Sequence, residues 1–126
     1  MAVDQQLDAL THAIIDAIIT VHRVLGPGFL EGVYQRALLI ELSKRGVPVK
    51  TEMEVTVEYD GQLVGRHRVD LIVGERVLVE LKTVEELHAA HYAQVRAYLR
   101  ATRLGVGLLV NFSKERADYR RVMPGE

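Results

Sequence analysis

The chain has 126 residues, 48% of them hydrophobic, with 16 basic and 17 acidic side chains, no cysteine and a formal net charge of −1. That length suits one domain, residues 1–126, with a modest core. The charge balance excludes a strongly basic surface of the kind that announces nucleic acid, the missing cysteines exclude disulfides and thiolate metal sites, and no apolar run of about 18 residues offers a membrane span. The opening Met1-Ala-Val-Asp-Gln-Gln6 lacks the basic and apolar regions of a signal peptide, so a cytoplasmic location is expected.

Residues 4–25 are predicted to form an amphipathic helix. Leu7, Leu10, Ile14, Ile18, Val21 and Leu25 recur at steps of three and four, and Asp4 is a plausible N-cap. His22 and Arg23 fall near the C-terminal end, where cations are favoured. His22 reads as a packing or helix-end histidine before it reads as a site residue. Leu25-Gly26-Pro27-Gly28 stops the helix. A second helix is expected from about Phe29 to Lys44, with Leu30, Val33, Tyr34, Ala37, Leu38 and Leu42 as its buried stripe. Glu31 lies in its first turn, where a carboxylate gains from the helix dipole, and Tyr34, three residues on, is its neighbour on one side.

After Arg45-Gly46-Val47-Pro48, residues 49–59 alternate as a half-buried strand with Val49, Thr51, Met53, Val55, Val57 and Tyr59 on one face. Asp60-Gly61 is a hairpin turn, and the next strand runs from Gln62 to Val73. Alternation puts Arg66 and Arg68 on the face of Asp70. This basic pair suits phosphate; a solvated edge or an ion pair with Asp70 is the plainer reading.

The stretch from Val69 to Lys82 carries the chemistry. Two apolar runs flank a Gly-Glu turn, a hairpin signature, and only Asp70, Glu80 and Lys82 break the runs with charge. Glu80 and Lys82 share one strand face, while Val77, Val79 and Leu81 line the other. A three-residue loop, Gly74-Glu75-Arg76, pairs Asp70 with Glu80; a two-residue loop puts Asp70 opposite Val79. The longer loop is preferred because it gathers the polar groups. Two carboxylates and the Leu81 carbonyl then offer three oxygens to a hard cation such as Mg²⁺. An ion pair of Lys82 with Glu80 or Asp70 is the alternative.

A third helix is expected over residues 84–103. His91, Gln94 and Tyr98 fall on one polar stripe, with Val95 and Leu99 on the packing side. Residues 104–112 form a buried strand, 113–118 a polar loop, and 119–123 a possible edge strand. The order is helix, helix, three strands, helix, strand, which gives an α/β fold with a mixed central sheet flanked by helices.

The spacing Asp70…Glu80-Leu81-Lys82 resembles the PD-(D/E)xK nuclease motif. Gly28-Phe-Leu-Glu31-Gly-Val-Tyr34 is similar to the name-giving motif of the GxxExxY protein family, a group related to that superfamily. Val21-His22-Arg23, Leu25-Gly26-Pro27-Gly28, His91-x-x-Gln94-x-x-x-Tyr98 and Gly107-Leu-Leu-Val-Asn-Phe112 resemble it too, in order, over roughly residues 10–122. The resemblance implies a restriction-endonuclease-like core and a site in which Glu31 joins Asp70, Glu80 and the Leu81 carbonyl as metal ligands. It further implies that Lys82 is catalytic, that Mg²⁺ or Mn²⁺ is the cofactor, and that Tyr34, His91, Gln94 and Tyr98 are supporting residues. Tyr34 is placed to hydrogen-bond Glu31.

Three function classes follow. The first is a metal-dependent hydrolase of phosphodiester bonds in DNA, less so RNA. The second is a non-catalytic module for nucleic acid or protein that retains the nuclease fold. The third is a subunit, as a homodimer or with a partner protein, that borrows its nucleic-acid contacts.

Overall fold

Residues 2–125 are described by a computed structural model, with side chains from residue 5 onward. Helix α1 (Ala2–Leu25) and helix α2 (Glu31–Lys44) come first. Three strands follow, β1 (Val49–Tyr59), β2 (Gln62–Val73) and β3 (Val77–Lys82), then helix α3 (Ala89–Thr102), β4 (Val106–Asn111) and β5 (Asp118–Val122). The sheet order is β1-β2-β3-β4-β5. Neighbours are antiparallel except β3 and β4, which run parallel because α3 carries the chain back across the sheet. No helix among the described residues is long and apolar enough to cross a membrane.

The two faces of the sheet carry separate cores. One face packs Leu71, Val73, Val77, Val79, Leu81, Leu108, Val110 and Phe112 against Ile14, Ile18 and Val21 of α1 and Tyr34, Leu38 and Leu42 of α2. The other packs Val55, Val69, Ile72, Leu78, Leu109 and Val122 against Val95, Tyr98 and Leu99 of α3. The α1 stripe is thus as periodicity predicts. The Asp4 side chain, expected as its cap, lies outside the described residues, and the helix begins ahead of it at Ala2.

Two helix starts and one burial differ from expectation. Helix α2 starts at Glu31, because Leu30 is extended (ψ 158°) as its N-cap and 81% exposed rather than buried. The preceding Gly28 has φ +115°, which an L side chain resists. Helix α3 starts at Ala89 instead of residue 84. The Asn111 side chain accepts from the Val84 N–H (3.1 Å) and donates to the Val84 carbonyl (2.8 Å). Both backbone groups of Val84 are thereby withheld from a helical turn. Finally, Val57 and Tyr59 do not reach the core: Tyr59 is 75% exposed, like Val64 across the hairpin at 62%.

Near the site, alternation breaks in β1 and β2 at the same point, apart from a separate register shift at Val57/Glu58. Residues two apart on a strand share a face, yet Thr51 pairs with Leu71 on the α1/α2 side, while Met53 pairs with Val69 on the α3 side. The residues between them, Glu52 and Asp70, are missing from the ladder, and Glu52 has φ +54° in mid-strand.

Candidate active site

The β2–β3 hairpin turns through Gly74-Glu75-Arg76, since Val73 pairs with Val77, Ile72 with Leu78 and Leu71 with Val79. That register brings Asp70 and Glu80 next to each other. Here the ladder stops and the carboxylates take over its hydrogen bonds. The Asp70 N–H donates to Glu80 Oε1 (3.0 Å), and the Leu81 N–H donates to Asp70 Oδ2 (2.8 Å). The two acids are locked to each other's strand. The Lys82 carbonyl accepts from Phe112 N–H on the β4 side (3.0 Å), so the Leu81 carbonyl, one peptide earlier, turns toward β2 and the two acids.

The electrostatics follow from burial. Glu80 is 5% exposed, and desolvation, reinforced by the charge of Asp70, pushes its carboxyl up to about 7. Desolvation also raises Asp70; the Leu81 N–H and Lys82 pull it back, while Glu31 and Glu52 push it further. Such a pair holds fewer than two negative charges at neutral pH until a cation compensates them.

Lys82 shares the Glu80 face but forms no ion pair with either acid among the described residues. Its Nζ donates to Gln94 Oε1 of α3 (3.0 Å). Gln94 also hydrogen-bonds Tyr98, whose hydroxyl is raised by burial and by the charges of Glu80 and Asp70. One turn earlier, His91 accepts the His88 N–H on Nδ1 (2.9 Å), which leaves its proton on Nε2. Burial, then the charges of Lys82 and His88, lower His91 below its ordinary value. The polar stripe of α3 therefore does face Lys82 and the acids.

Glu31 is exposed at the first position of α2, and its charge acts on Asp70, Glu80 and His91. Among the described residues no three Asp, Glu or His side chains form a group that holds an ion. Glu31 therefore reaches the pair through its field and does not close a three-acid cage. Tyr34 corrects its expected role as well. It is fully buried, its hydroxyl donates to the Gly26 carbonyl (2.6 Å) and accepts from Phe29 N–H (3.2 Å), and its ring stacks on Phe112. It clamps the loop that launches α2 and so aims Glu31, without touching it. His22 is a packing residue: its Nε2 donates to the Lys114 carbonyl (2.8 Å) and its ring stacks on Phe112.

The break in alternation also moves the arginines. His67 and Val69 turn toward α3, with the His67 ring 5.5 Å from Tyr98. Arg66 and Arg68 therefore project from the opposite side of β2, away from Glu80 and Lys82, and Arg66 sits 3.9 Å from Glu54. Four further residues serve the site without having been expected. Gln35 donates to the Asp70 carbonyl (3.0 Å); its place four residues after Glu31 was the available signal. Asn111, a polar break in an apolar strand, shapes the segment after Lys82. His67 and Glu52 carried no signal, because both depend on the broken alternation.

The donor set suits a hard cation that keeps several waters. Asp70 and Glu80 each use one oxygen on a backbone N–H, and no described hydrogen bond engages Asp70 Oδ1 or Glu80 Oε2. With the Leu81 carbonyl they offer an all-oxygen donor set.

A family model described as the PD-(D/E)XK nuclease superfamily matches residues 8–122. No curated protein matches the chain. Among solved structures, the chain is similar to the crystal structure of SSO0001, with 20% identity and a TM-score of 0.58, over 73% of this chain and 48% of that one. It thus spans about half the length of that protein. At this identity the likeness is one of fold, and the fold is restriction-endonuclease-like: a mixed five-stranded sheet with helices on both faces.

Proposed function

We propose, from the premise that this chain belongs to the PD-(D/E)XK nuclease superfamily, that it is a nuclease in which Asp70 and Glu80 hold one Mg²⁺ or Mn²⁺ ion and which cuts phosphodiester bonds, in DNA before RNA. Nucleases of the superfamily generally use divalent metals. The motif from Gly28 to Tyr34 places the chain, on this reading, with the GxxExxY proteins.

One observation carries the proposal. The acids are cross-bonded at the point where two strands part, with both carboxyls raised by burial. That arrangement destabilises the protein without an ion and is relieved by one. Asp70, Glu80 and the Leu81 carbonyl would hold the ion, and the charge of Glu31 would add attraction from the side. A bound divalent ion polarises a phosphoryl oxygen and lowers the pKa of a bound water. Lys82, with one of its three donors on Gln94, directs the others at the nucleophile or at the charge that develops on phosphorus. Gln94, itself held by Tyr98, fixes the lysine. His91 offers Nε2–H to the same phosphate.

The test is nicking of supercoiled DNA, single-stranded DNA and RNA with Mn²⁺, comparing wild type with Lys82→Ala. Cleavage by the wild type and its loss in Lys82→Ala, with Mn²⁺ binding kept, is the expected result. Binding of Mn²⁺ with no cleavage of any substrate favours the second reading, a non-catalytic module. The net charge of −1 supports that alternative.

A further inference from the structure

We propose that Glu52 is a positioning residue for this site: the left-handed bend of its backbone in mid-strand is what delivers the Asp70 carboxylate to β3. Glu52 has φ +54°. Among the described residues, the other non-glycine positions with positive φ are Asp60 and Glu75 in hairpin turns and Arg103 at the end of α3. Each of those sits where a chain reverses or stops, and such geometry is ordinary there. Glu52 sits inside an eleven-residue strand, where a left-handed residue is strained and calls for a reason.

The reason lies across the ladder. The pairing of β1 with β2 keeps one register from Val49 to Val57, and only the Glu52–Asp70 position drops out of it. On the turn side of that gap, Val49 and Leu71 face α1 and α2. On the far side, Met53, Val55 and Val69 face α3. Both strands therefore rotate by one side-chain position at the same point. In a regular strand the Asp70 side chain would stand perpendicular to the sheet. With the rotation shared between Glu52 and Asp70, the carboxylate lies toward β3 and accepts the Leu81 N–H at 2.8 Å. Gln35 holds the Asp70 carbonyl from α2, which fixes the bend from the other side. The Glu52 carboxylate is exposed, and its charge is among those that act on Asp70. The backbone, not that carboxylate, is the positioning device.

The consequence for catalysis rests on the metal reading above; the geometry does not. The test uses the full chain and the variants Glu52→Gly, Glu52→Asn and Glu52→Val. Glycine adopts positive φ freely and asparagine tolerates it, whereas β-branched valine resists it. Two readouts apply: nuclear Overhauser contacts of the Val69 methyls in metal-free protein, and the Mn²⁺ Kd by calorimetry. With Gly and Asn, Val69 should keep its contacts to the α3-side core, and the Kd should stay near the wild-type value although the carboxylate is gone. With Val, whose branched Cβ adds to the left-handed penalty that Glu52 already bears, the Val69 contacts should shift and the Kd should rise severalfold. Unchanged contacts and Kd in Glu52→Val overturn the inference. A loss in Gly or Asn equal to that in Val also overturns it, since the carboxylate would then be the working part. Should Glu52→Val fail to fold, a severalfold rise of the Kd in Glu52→Gly or Glu52→Asn overturns the inference by itself. Wild-type protein that binds no Mn²⁺ defeats the metal reading, and the Val69 contacts still judge the bend.

Discussion

The two faces of one sheet use their polar groups in opposite ways. On the α1/α2 face, every buried polar side chain described ends on a backbone atom. Tyr34 donates to Gly26 (2.6 Å), His22 to Lys114 (2.8 Å) and Thr11 to Leu7 (2.8 Å). Those bonds close loops or, for Thr11, lie within α1, and each is spent on the backbone. On the α3 face, Glu80, His91 and Asn111 also hold backbone groups, but Lys82 ends on another side chain. Lys82 meets Gln94 and Gln94 meets Tyr98, beside a carboxyl held near neutrality by burial. A side-chain partner can be exchanged for a ligand at the cost of a rotamer, whereas a backbone partner cannot move without its strand. The first face is built for stability and the second for exchange.

The largest effect that sharpens this contrast lies on the stable face. Phe112 is fully buried between the Tyr34 ring (4.3 Å) and the His22 ring (5.9 Å). Phe112→Ala should cost about 3–5 kcal/mol in denaturant unfolding, with Mn²⁺ affinity unchanged in the fraction that folds. Tyr98→Phe on the other face should do the reverse: stability falls by about 1 kcal/mol or less, and cleavage falls because Gln94 loses its anchor and Lys82 its aim. Equal loss of cleavage in both variants would break the division of labour.

The next effect concerns pH and has a definite sign. The Glu80 carboxyl lies near 7 in the folded chain against 4.5 for the free group. The folded state therefore binds the proton more tightly, and stability falls as pH rises from about 4.5 to about 7. The full difference is on the order of 3 kcal/mol. Metal-free protein should melt at lower temperature at pH 8 than at pH 5. Glu80→Gln should remove most of that slope, and Mn²⁺ at pH 8 should restore the lost stability by mass action. A flat pH profile in metal-free wild type would mean that Glu80 is not desolvated.

The fold was largely legible because its elements are periodic. The α1 stripe, the three-residue turn at Gly74 and the division of β3 side chains between the two sheet faces all follow from alternation or helical spacing. What escaped the sequence is what breaks a period. Asn111 delays α3 by five residues through two side-chain bonds that no pattern announces. Glu52 rotates two strands, so parity counted from Asp70 put Arg66 and Arg68 on the wrong side and hid His67. Helical spacing places Tyr34 in the core, as found, but the spacing of three from Glu31 points to the wrong partner, because its hydroxyl bonds the Gly26 carbonyl instead. Glu80, Lys82, Gln94 and Tyr98 did converge, since each sits on the unbroken part of its element, and Asp70 joins them at the break itself, through the Leu81 N–H.

Between the two faces lies the loop that Tyr34 clamps. Tyr34→Phe keeps the ring stacked on Phe112 and removes the bonds to Gly26 and Phe29. The loss should be about 1–2 kcal/mol. If the loop aims Glu31, Mn²⁺ affinity should weaken together with stability; Glu31→Gln should weaken it to a similar degree without the stability loss. Affinity that is indifferent to both variants would confine Glu31 to its helix-dipole role.

The smallest effect on stability is expected for Arg66 and Arg68, and it asks whether nucleic acid touches one side of β2 or both. Both arginines are exposed, and the contact of Arg66 with Glu54 is long at 3.9 Å. Alanine at both positions should change unfolding free energy by less than about 0.5 kcal/mol. They project from the side of β2 opposite His67, so they cannot approach the phosphate at Lys82 as closely as a shared face would allow. They can still meet phosphates that flank it. The double variant should then bind DNA more weakly, with a salt dependence shallower by about one to two units in log–log slope, while Mn²⁺ affinity is unaltered. Lys82→Ala should show the converse, with slope nearly kept and cleavage lost. An unaltered slope in the double variant would confine the nucleic-acid path to the α3 side, along His67, Tyr98, His91 and Lys82.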